Sequence, residues 1–250
     1  MGATAATLWF IDVAEPKGIL AIVGRPDEAA SRAIAEQVLG EPVLGRPESL
    51  ARAADPLPGH VYVAAWGGLT VVTHAGLRVD RPSELDEFWW NLVPAHRAFL
   101  LNADPERAVG GFAVRIDGAP KRSFAAHPVD ILEDEGLPEL FEGPFWAGEH
   151  PLTYAEGVTP DPRALPFHPM EFAEQANREA LGFRFTHPLA PTDLDPARIQ
   201  VIDFVPASGV PEQAPPQAQT AGPDGAPQPP VEQQDPGYED RGKVRSFFGF

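Results

Sequence analysis

The sequence predicts an α+β fold, in which a mixed, mostly antiparallel sheet carries helices on one face. Short apolar runs rich in β-branched and aromatic residues alternate with a few amphipathic stretches of helical period. Two pairs of these runs are joined by Gly67-Gly68 and by Asp117-Gly118, dipeptides that favour tight hairpin turns. The element order up to residue 126, β-α-β-β-α-β-β-β, points to a sheet with its helices on one side.

The strands are predicted from apolar runs that end at turn residues. Asp12 stands near the end of the first run, where α/β sheets often carry ligand groups, but a lone aspartate that closes a strand is more often a turn former. Residues 18–24 are too short to distinguish a strand from a helix by their period. The predicted strands span residues 7–13, 61–66, 69–73, 97–102, 109–116, 122–126 and 198–205.

Three helices are predicted, over residues 26–39, 83–93 and 169–181. Ser83 is the expected cap of the second helix. The third begins with His168 at the N-cap position and Pro169 at the first helical position. On its surface, Glu174 and Arg178 have the spacing of an i,i+4 ion pair.

The charge balance restricts the partners of this chain. It carries 36 acidic residues and 19 basic ones, which gives a formal net charge of −17 at pH 7. Nucleic-acid binding requires a basic surface, so we expect no such partner. The chain has no cysteine, which excludes disulfides and thiolate chemistry. Its first residues do not have the pattern of a signal peptide, and we expect a cytoplasmic protein.

A change of composition predicts the domain organisation. Residues 1–205 have the composition of a globular α+β domain. Residues 206–240 are rich in proline, glutamine and glycine, and we expect a disordered linker there. Residues 241–250 form a short segment in which basic residues precede aromatic ones.

This last segment has the design of a tethered docking peptide. Exposed phenylalanines are disfavoured on a solvated terminus, so three of them indicate a binding function. The long linker would keep the peptide away from the core and at a high effective concentration for a partner. We expect a protein partner. Contact with an anionic membrane surface is the alternative, but three cations give only about 1 kcal/mol each there. The predicted partner-binding residues are Arg241, Lys243, Arg245, Phe247, Phe248 and Phe250.

The loop before the third helix carries the candidate chemistry. His168 and Glu171, three residues apart at the helix start, could bind one divalent metal, with His150 or Glu149 as a third ligand. The preferred interpretation is that His168 caps the helix and Glu171 completes a capping box, because no HExxH-type motif is present. Trp146 is predicted to be a packing anchor of the loop.

Other motifs add little. The acidic residues of the segment 130–135 are interpreted as a solvated turn rather than a cation site. GxGxxG, GxxxxGK[ST] and GxSxG are absent, which argues against nucleotide-dependent and serine-hydrolase chemistry.

The segments PFWAGEHP at residues 144–151 and LPFHP at residues 165–169 resemble an uncharacterised actinobacterial family, a domain of unknown function. The resemblance covers residues 1–187 and implies no activity, cofactor or catalytic residue.

Three functions therefore stay open. The first is a non-enzymatic interaction or adaptor protein with a C-terminal docking motif and no cofactor. The second is a metal-dependent hydrolase with its site in the junction 146–171. The third is a small-molecule binding module, with the Trp146 loop as its lid.

Overall fold

The computed structural model describes residues 2–22, 24–153, 157, 159 and 161–209. The last strand ends at Pro206, and a short 3-10 turn follows over Ala207–Gly209. The rest of the predicted linker and the whole docking peptide at 241–250 lie outside the described residues.

In the described part of the chain, nine strands form one sheet with the order β2-β9-β3-β4-β1-β5-β6-β7-β8. Each pair of neighbouring strands is antiparallel. The strands are β1 Ala5–Ile11, β2 Val43–Ser49, β3 Val61–Trp66, β4 Leu69–His74, β5 Arg97–Asp104, β6 Val109–Ile116, β7 Ala119–His127, β8 Asp130–Gly136 and β9 Gln200–Pro206. This architecture confirms the predicted α+β class.

Two edge strands, β2 and β8, were not predicted. In β2 the sequence VLGRPES is mostly exposed, and in β8 the sequence DILEDEG carries four carboxylates. Edge strands need no continuous apolar pattern, because charged residues and proline protect them from unwanted pairing. The acidic segment interpreted as a solvated turn is therefore strand β8, and Glu133 in it is buried.

The six helices of the described residues are α1 Pro16–Ile22, α2 Glu28–Leu39, α3 Leu50–Ala53, α4 Glu87–Trp90, α5 Glu142–Trp146 and α6 Pro169–Leu181. α6 has the predicted range, whereas α2 begins two residues later than predicted because Asp27 caps it; each ends at a glycine in the left-handed conformation. The predicted helix 83–93 was too long. Only the single turn of α4 forms, and Asp86 rather than Ser83 caps it by accepting the Phe88 N–H at 2.7 Å. None of these helices combines the length and the apolar character needed to cross a bilayer.

Helices cover both faces of the sheet, which corrects the expectation of one covered face. Alternate residues of the central strand β1 belong to different cores: Trp9 packs with α6, whereas Leu8 packs with α2. The first core also contains residues of α1 and α3, and the second contains Trp89 and Trp90 of α4. The continuous apolar run of β1 is typical of a strand that is buried on both faces. Such a strand needs helices packed against each face of the sheet.

The sequence contains two Gly-Gly pairs, at residues 67–68 and 110–111, and they occupy different places in the fold. Gly67 and Gly68 form the turn between β3 and β4, and Gly68 has φ 78°. Gly110 and Gly111 lie inside β6, where Gly110 faces the start of α6. A side chain at position 110 would meet the Pro169 carbonyl, so this glycine lets α6 approach the sheet.

Candidate functional site

A cavity of about 580 Å³ lies at the N-terminal end of α6. It contains two of the four site residues predicted from the sequence, together with a buried carboxylate and an arginine. Its walls are otherwise formed mainly by proline, leucine and methionine side chains. The lining residues are Gly2, Pro105, Pro151, Leu152, Thr153, His168, Met170, Glu171, Glu174, Arg184, Thr186, His187 and Pro188.

His168 serves as the N-cap of α6. Its Nδ1 accepts the Met170 N–H at 3.3 Å, and Pro169 occupies the first helical position as predicted. Burial lowers the pKa of His168, against a smaller opposing effect of Glu171. Because an accepting Nδ1 carries no proton, the lowered pKa and the capping bond both favour the neutral imidazole.

The other predicted residues are placed differently. His150 lies flat on the Phe145 ring, with 3.8 Å between ring centroids, and its Nδ1 is 3.4 Å from Glu171 Oε1. Glu149 is exposed to solvent. The structure therefore brings His150 and Glu171 together, while His168 is engaged with the helix backbone. Among the described residues no group of three or more His, Asp and Glu side chains is arranged to hold a metal ion.

Glu174 is the site residue that sequence reasoning missed. It is only 2% exposed, and it accepts the Phe185 N–H at 2.7 Å and the Thr186 hydroxyl at 3.0 Å. Burial raises the pKa of Glu174, and these hydrogen bonds oppose part of the rise. A buried carboxyl group with a raised pKa at the wall of a cavity is a typical feature of ligand-binding and catalytic sites.

The predicted Glu174–Arg178 ion pair is absent between these two described residues, because their side chains face different neighbours. Arg178 Nε donates to Asp193 Oδ1 at 2.6 Å instead. The helical spacing contains a signal for the inward position of Glu174, since it lies four residues after Met170 and seven before Leu181, both on the buried side of α6.

Arg184 supplies the positive charge of the cavity. One terminal nitrogen donates to the Gln175 side-chain oxygen. Its Nε is buried and has no hydrogen-bond partner among the described residues. An arginine keeps its proton in a folded protein, so a buried N–H of this kind favours a ligand with an acceptor oxygen.

An aromatic cluster fixes the start of α6. Trp146 stands edge-on to Phe167, at 4.9 Å between ring centroids, and Phe172 of α6 lies 4.7 Å from Phe124 of β7. Trp146 is 37% exposed and makes the packing contacts expected of an anchor. It is not among the residues that line the cavity.

A cluster of polar side chains around a buried carboxylate, which was not predicted from the sequence, connects the strands near the β2 edge of the sheet. Asp203 of β9 is 1% exposed, and it accepts hydrogen bonds from Arg46 Nε at 2.8 Å and from the His60 ring at 2.7 Å. These contacts connect β9 with β2 and with the residue before β3. Their role in the structure is to neutralise a buried carboxylate between strands.

A model described as a family of unknown function matches residues 5–204 of the chain. No curated protein and no solved structure matches it. The match includes the sheet up to Phe204 and the cavity at α6 except Gly2. It confirms that the chain is similar to an uncharacterised family, as its sequence indicated.

Proposed function

The chain belongs to DUF6928, this family of unknown function, and from that premise we propose that its domain is a non-enzymatic module that binds a small molecule at the start of α6. The observation that carries the proposal is the cavity of about 580 Å³ with the buried Glu174 in its wall. Cavities of this size accommodate typical small ligands, and a few polar groups among apolar walls orient them.

The side chains of the cavity indicate the kind of ligand. Prolines, Leu152 and Met170 favour an apolar body. Arg184 offers a buried donor, and Glu174 with its raised pKa offers a hydroxyl donor when protonated and an acceptor in both states. We propose a small, largely apolar ligand with a carbonyl or amide group.

Saturation-transfer NMR with a library of neutral amides and ketones tests this function. Amides that bind the wild type should bind Glu174→Leu at least about tenfold more weakly, because the loss of a buried hydrogen bond leaves a ligand group unpaired. Glu36→Gln, on α2 at the opposite face of the sheet, is the matched control and should leave the affinities unchanged. If the wild type, Glu174→Leu and Glu36→Gln bind the amides equally, the ligand does not bind at Glu174.

The same site has a metal-dependent alternative, which the contact of His150 with Glu171 favours. Elemental analysis of the purified wild type decides between the two. A stoichiometric divalent metal that disappears in Glu171→Gln would support hydrolytic chemistry at this junction. A metal-free protein that still binds amides supports the binding module.

We further propose that residues 241–250 recruit a protein partner, so that the full chain acts as an adaptor in the cytoplasm. The support is the sequence: Arg241, Lys243 and Arg245 precede three phenylalanines on a chain of net charge −17. The linker of about 35 residues, 206–240, would hold the peptide at a high effective concentration near the domain.

A comparison of the full chain with one that ends at Asp240 tests this role. Only the full chain should retain a specific, reproducible protein from a cell lysate, and replacing Phe247, Phe248 and Phe250 by serine should abolish retention. Flotation with anionic vesicles, dependent on the same residues, would favour the membrane surface instead. Identical recovery with both chains, and no flotation, would contradict a docking role.

A further inference from the structure

Arg97 begins strand β5 on the face of the sheet that α6 covers. Its side chain lines two neighbouring cavities. One is a polar cleft of about 700 Å³ beside the end of β1 and the start of α1. The other is a hollow of about 230 Å³, whose walls include Phe99, Phe112 and Phe141. Arg97 therefore stands between a polar and an aromatic environment.

The guanidinium of Arg97 has no protein partner among the described residues. It makes no ion pair within 4.0 Å, and its Nε is buried without an acceptor. Burial lowers the pKa of Arg97, and Glu139 opposes this effect from beyond ion-pair distance. Guanidinium groups remain charged in proteins. The free-energy cost of removing the Arg97 charge from water is therefore not avoided by loss of a proton.

Lys17 and Arg178, the other Lys and Arg side chains of the polar cleft, each have a protein acceptor, although only Arg178 is paired with a carboxylate. Lys17 Nζ donates to the Thr192 carbonyl at 2.7 Å, and Arg178 pairs with Asp193 at 2.6 Å. Arg122, on the neighbouring part of the sheet, shows how this fold treats a buried arginine that has a structural role: two carboxylates and two carbonyls surround it. Arg97 lacks such a set among the described residues and can bind an external anion.

The surroundings of Arg97 restrict the charge of that anion. Asp12, Glu15, Asp193 and Glu179 also line the polar cleft. These carboxylates repel every anion, but they repel a phosphate or a dicarboxylate about twice as strongly as a monocarboxylate. A single negative charge is therefore the one that Arg97 can bind at the lowest cost. The hollow next to it combines aromatic and aliphatic side chains with Glu139 and Glu179, and Leu140, which also lines it, is 99% exposed.

We propose that Arg97 is the centre of a second ligand site, which binds a monocarboxylate with an aromatic or aliphatic body. The carboxylate pairs with the guanidinium, where two parallel N–H···O bonds are possible, and the body lies in the hollow against Phe141 and Leu140. This site is distinct from the cavity at the start of α6, since the two share no lining residue.

Isothermal titration with 3-phenylpropionate and its neutral amide, 3-phenylpropionamide, tests the proposal on the full chain. The carboxylate should bind the wild type, and the amide at least about tenfold more weakly, because the amide lacks the charge that strengthens a hydrogen bond to the guanidinium. Arg97→Gln should weaken the carboxylate by a similar factor. Arg52→Gln, whose side chain is 78% exposed, is the control and should leave the affinity within about twofold of the wild type.

Leu140→Glu provides a second variant, which tests the site without a substitution at the partly buried Arg97. Its carboxylate at the rim of the hollow should weaken 3-phenylpropionate and leave the amide unaffected, while Leu140→Gln should change neither. Equal affinities for acid and amide, no detectable binding of the acid, or unchanged binding by both Arg97→Gln and Leu140→Glu would each overturn the proposal.

Discussion

Arg122 and Glu142 form a bidentate ion pair in which both side chains are completely buried. Nε donates to Oε1 and the terminal nitrogen to Oε2, each at 2.8 Å. The same guanidinium also donates to Asp134 and to the Ser123 and Glu135 carbonyls. Since Arg122 lies in β7 and Glu142 begins α5, this pair fixes the segment that leads to His150.

The first prediction concerns this pair. Arg122→Met should lower the free energy of unfolding by about 3–5 kcal/mol, because it leaves the Glu142 charge buried and uncompensated. The double variant Arg122→Met/Glu142→Leu should recover a large part of the loss, since an apolar pair removes both charges. Urea unfolding of the three proteins measures this. A double variant no more stable than Arg122→Met would show that the uncompensated Glu142 charge does not cause the loss.

His168 gives a prediction with a control at the same position. His168→Ala should cost about 1 kcal/mol of stability, the usual effect of removing an N-cap side chain, whereas His168→Asn should retain the cap. Unfolding at pH 8, where histidine is neutral, compares the two. Equal losses in both variants would contradict a capping role.

The pH dependence of the same residue follows from its lowered pKa. The folded state holds fewer protons on His168 than the unfolded state, so the stability it contributes is present above the usual histidine pKa of about 6.5 and is lost as the pH falls below it. Between pH 8 and pH 5 the wild type should therefore lose more stability than His168→Asn. The contrary result, a parallel decline in both proteins, would assign the pH dependence to other groups.

Glu174 should act in the opposite direction. Its pKa is raised, so the folded state holds more protons on this carboxyl group, and stability falls as the pH rises through the raised pKa. Glu174→Gln retains a hydrogen-bonding side chain without the charge, and it should gain stability relative to the wild type as the pH increases from 4 to 8. Glu36→Gln, on α2 at the opposite face of the sheet, should follow the wild type. A constant difference between wild type and Glu174→Gln would refute the raised pKa.

The sequence predicted the elements whose residues carry a local signal. Gly67-Gly68 and Asp117-Gly118 form the expected turns, and Asp117 and Gly118 both have positive φ, as their hairpin requires. The caps of α6 were equally predictable, because His168, Pro169 and Gly182 act through neighbouring backbone.

What the sequence did not predict depends on contacts between distant residues. The carboxylates of β8 appear solvated in sequence, but Glu133 is buried because Ser83 and Ser123 donate to it. Glu174 is turned inward by the residues 185–186, eleven and twelve positions away. These hydrogen-bond partners are distant in the sequence, so no local pattern predicts them. The burial of Glu133 and Glu174 therefore follows only from the tertiary structure.

The last prediction concerns the contact of α6 with the sheet. A Cβ at Gly110 would lie 2.1 Å from the Pro169 carbonyl oxygen, a backbone atom that cannot move without displacing the start of α6. A Cβ at the adjacent Gly111 would lie 3.1 Å from the Ala125 side chain and 3.1 Å from the Phe124 carbonyl oxygen, contacts that shifts of a few tenths of an ångström can relieve. Overpacking of this kind costs about 1–3 kcal/mol and more where backbone is involved.

Gly110→Ala should therefore destabilise the protein substantially more than Gly111→Ala, and thermal unfolding measures the difference. Because Pro169 follows the cap residue, Gly110→Ala should also displace His168 and weaken any ligand held in the cavity at α6, while binding of 3-phenylpropionate at Arg97 should persist in the folded fraction. Equal effects of the two substitutions would mean that α6 can withdraw from β6 at little cost. The position of the cavity would then depend on the aromatic cluster around Phe172 rather than on the glycine.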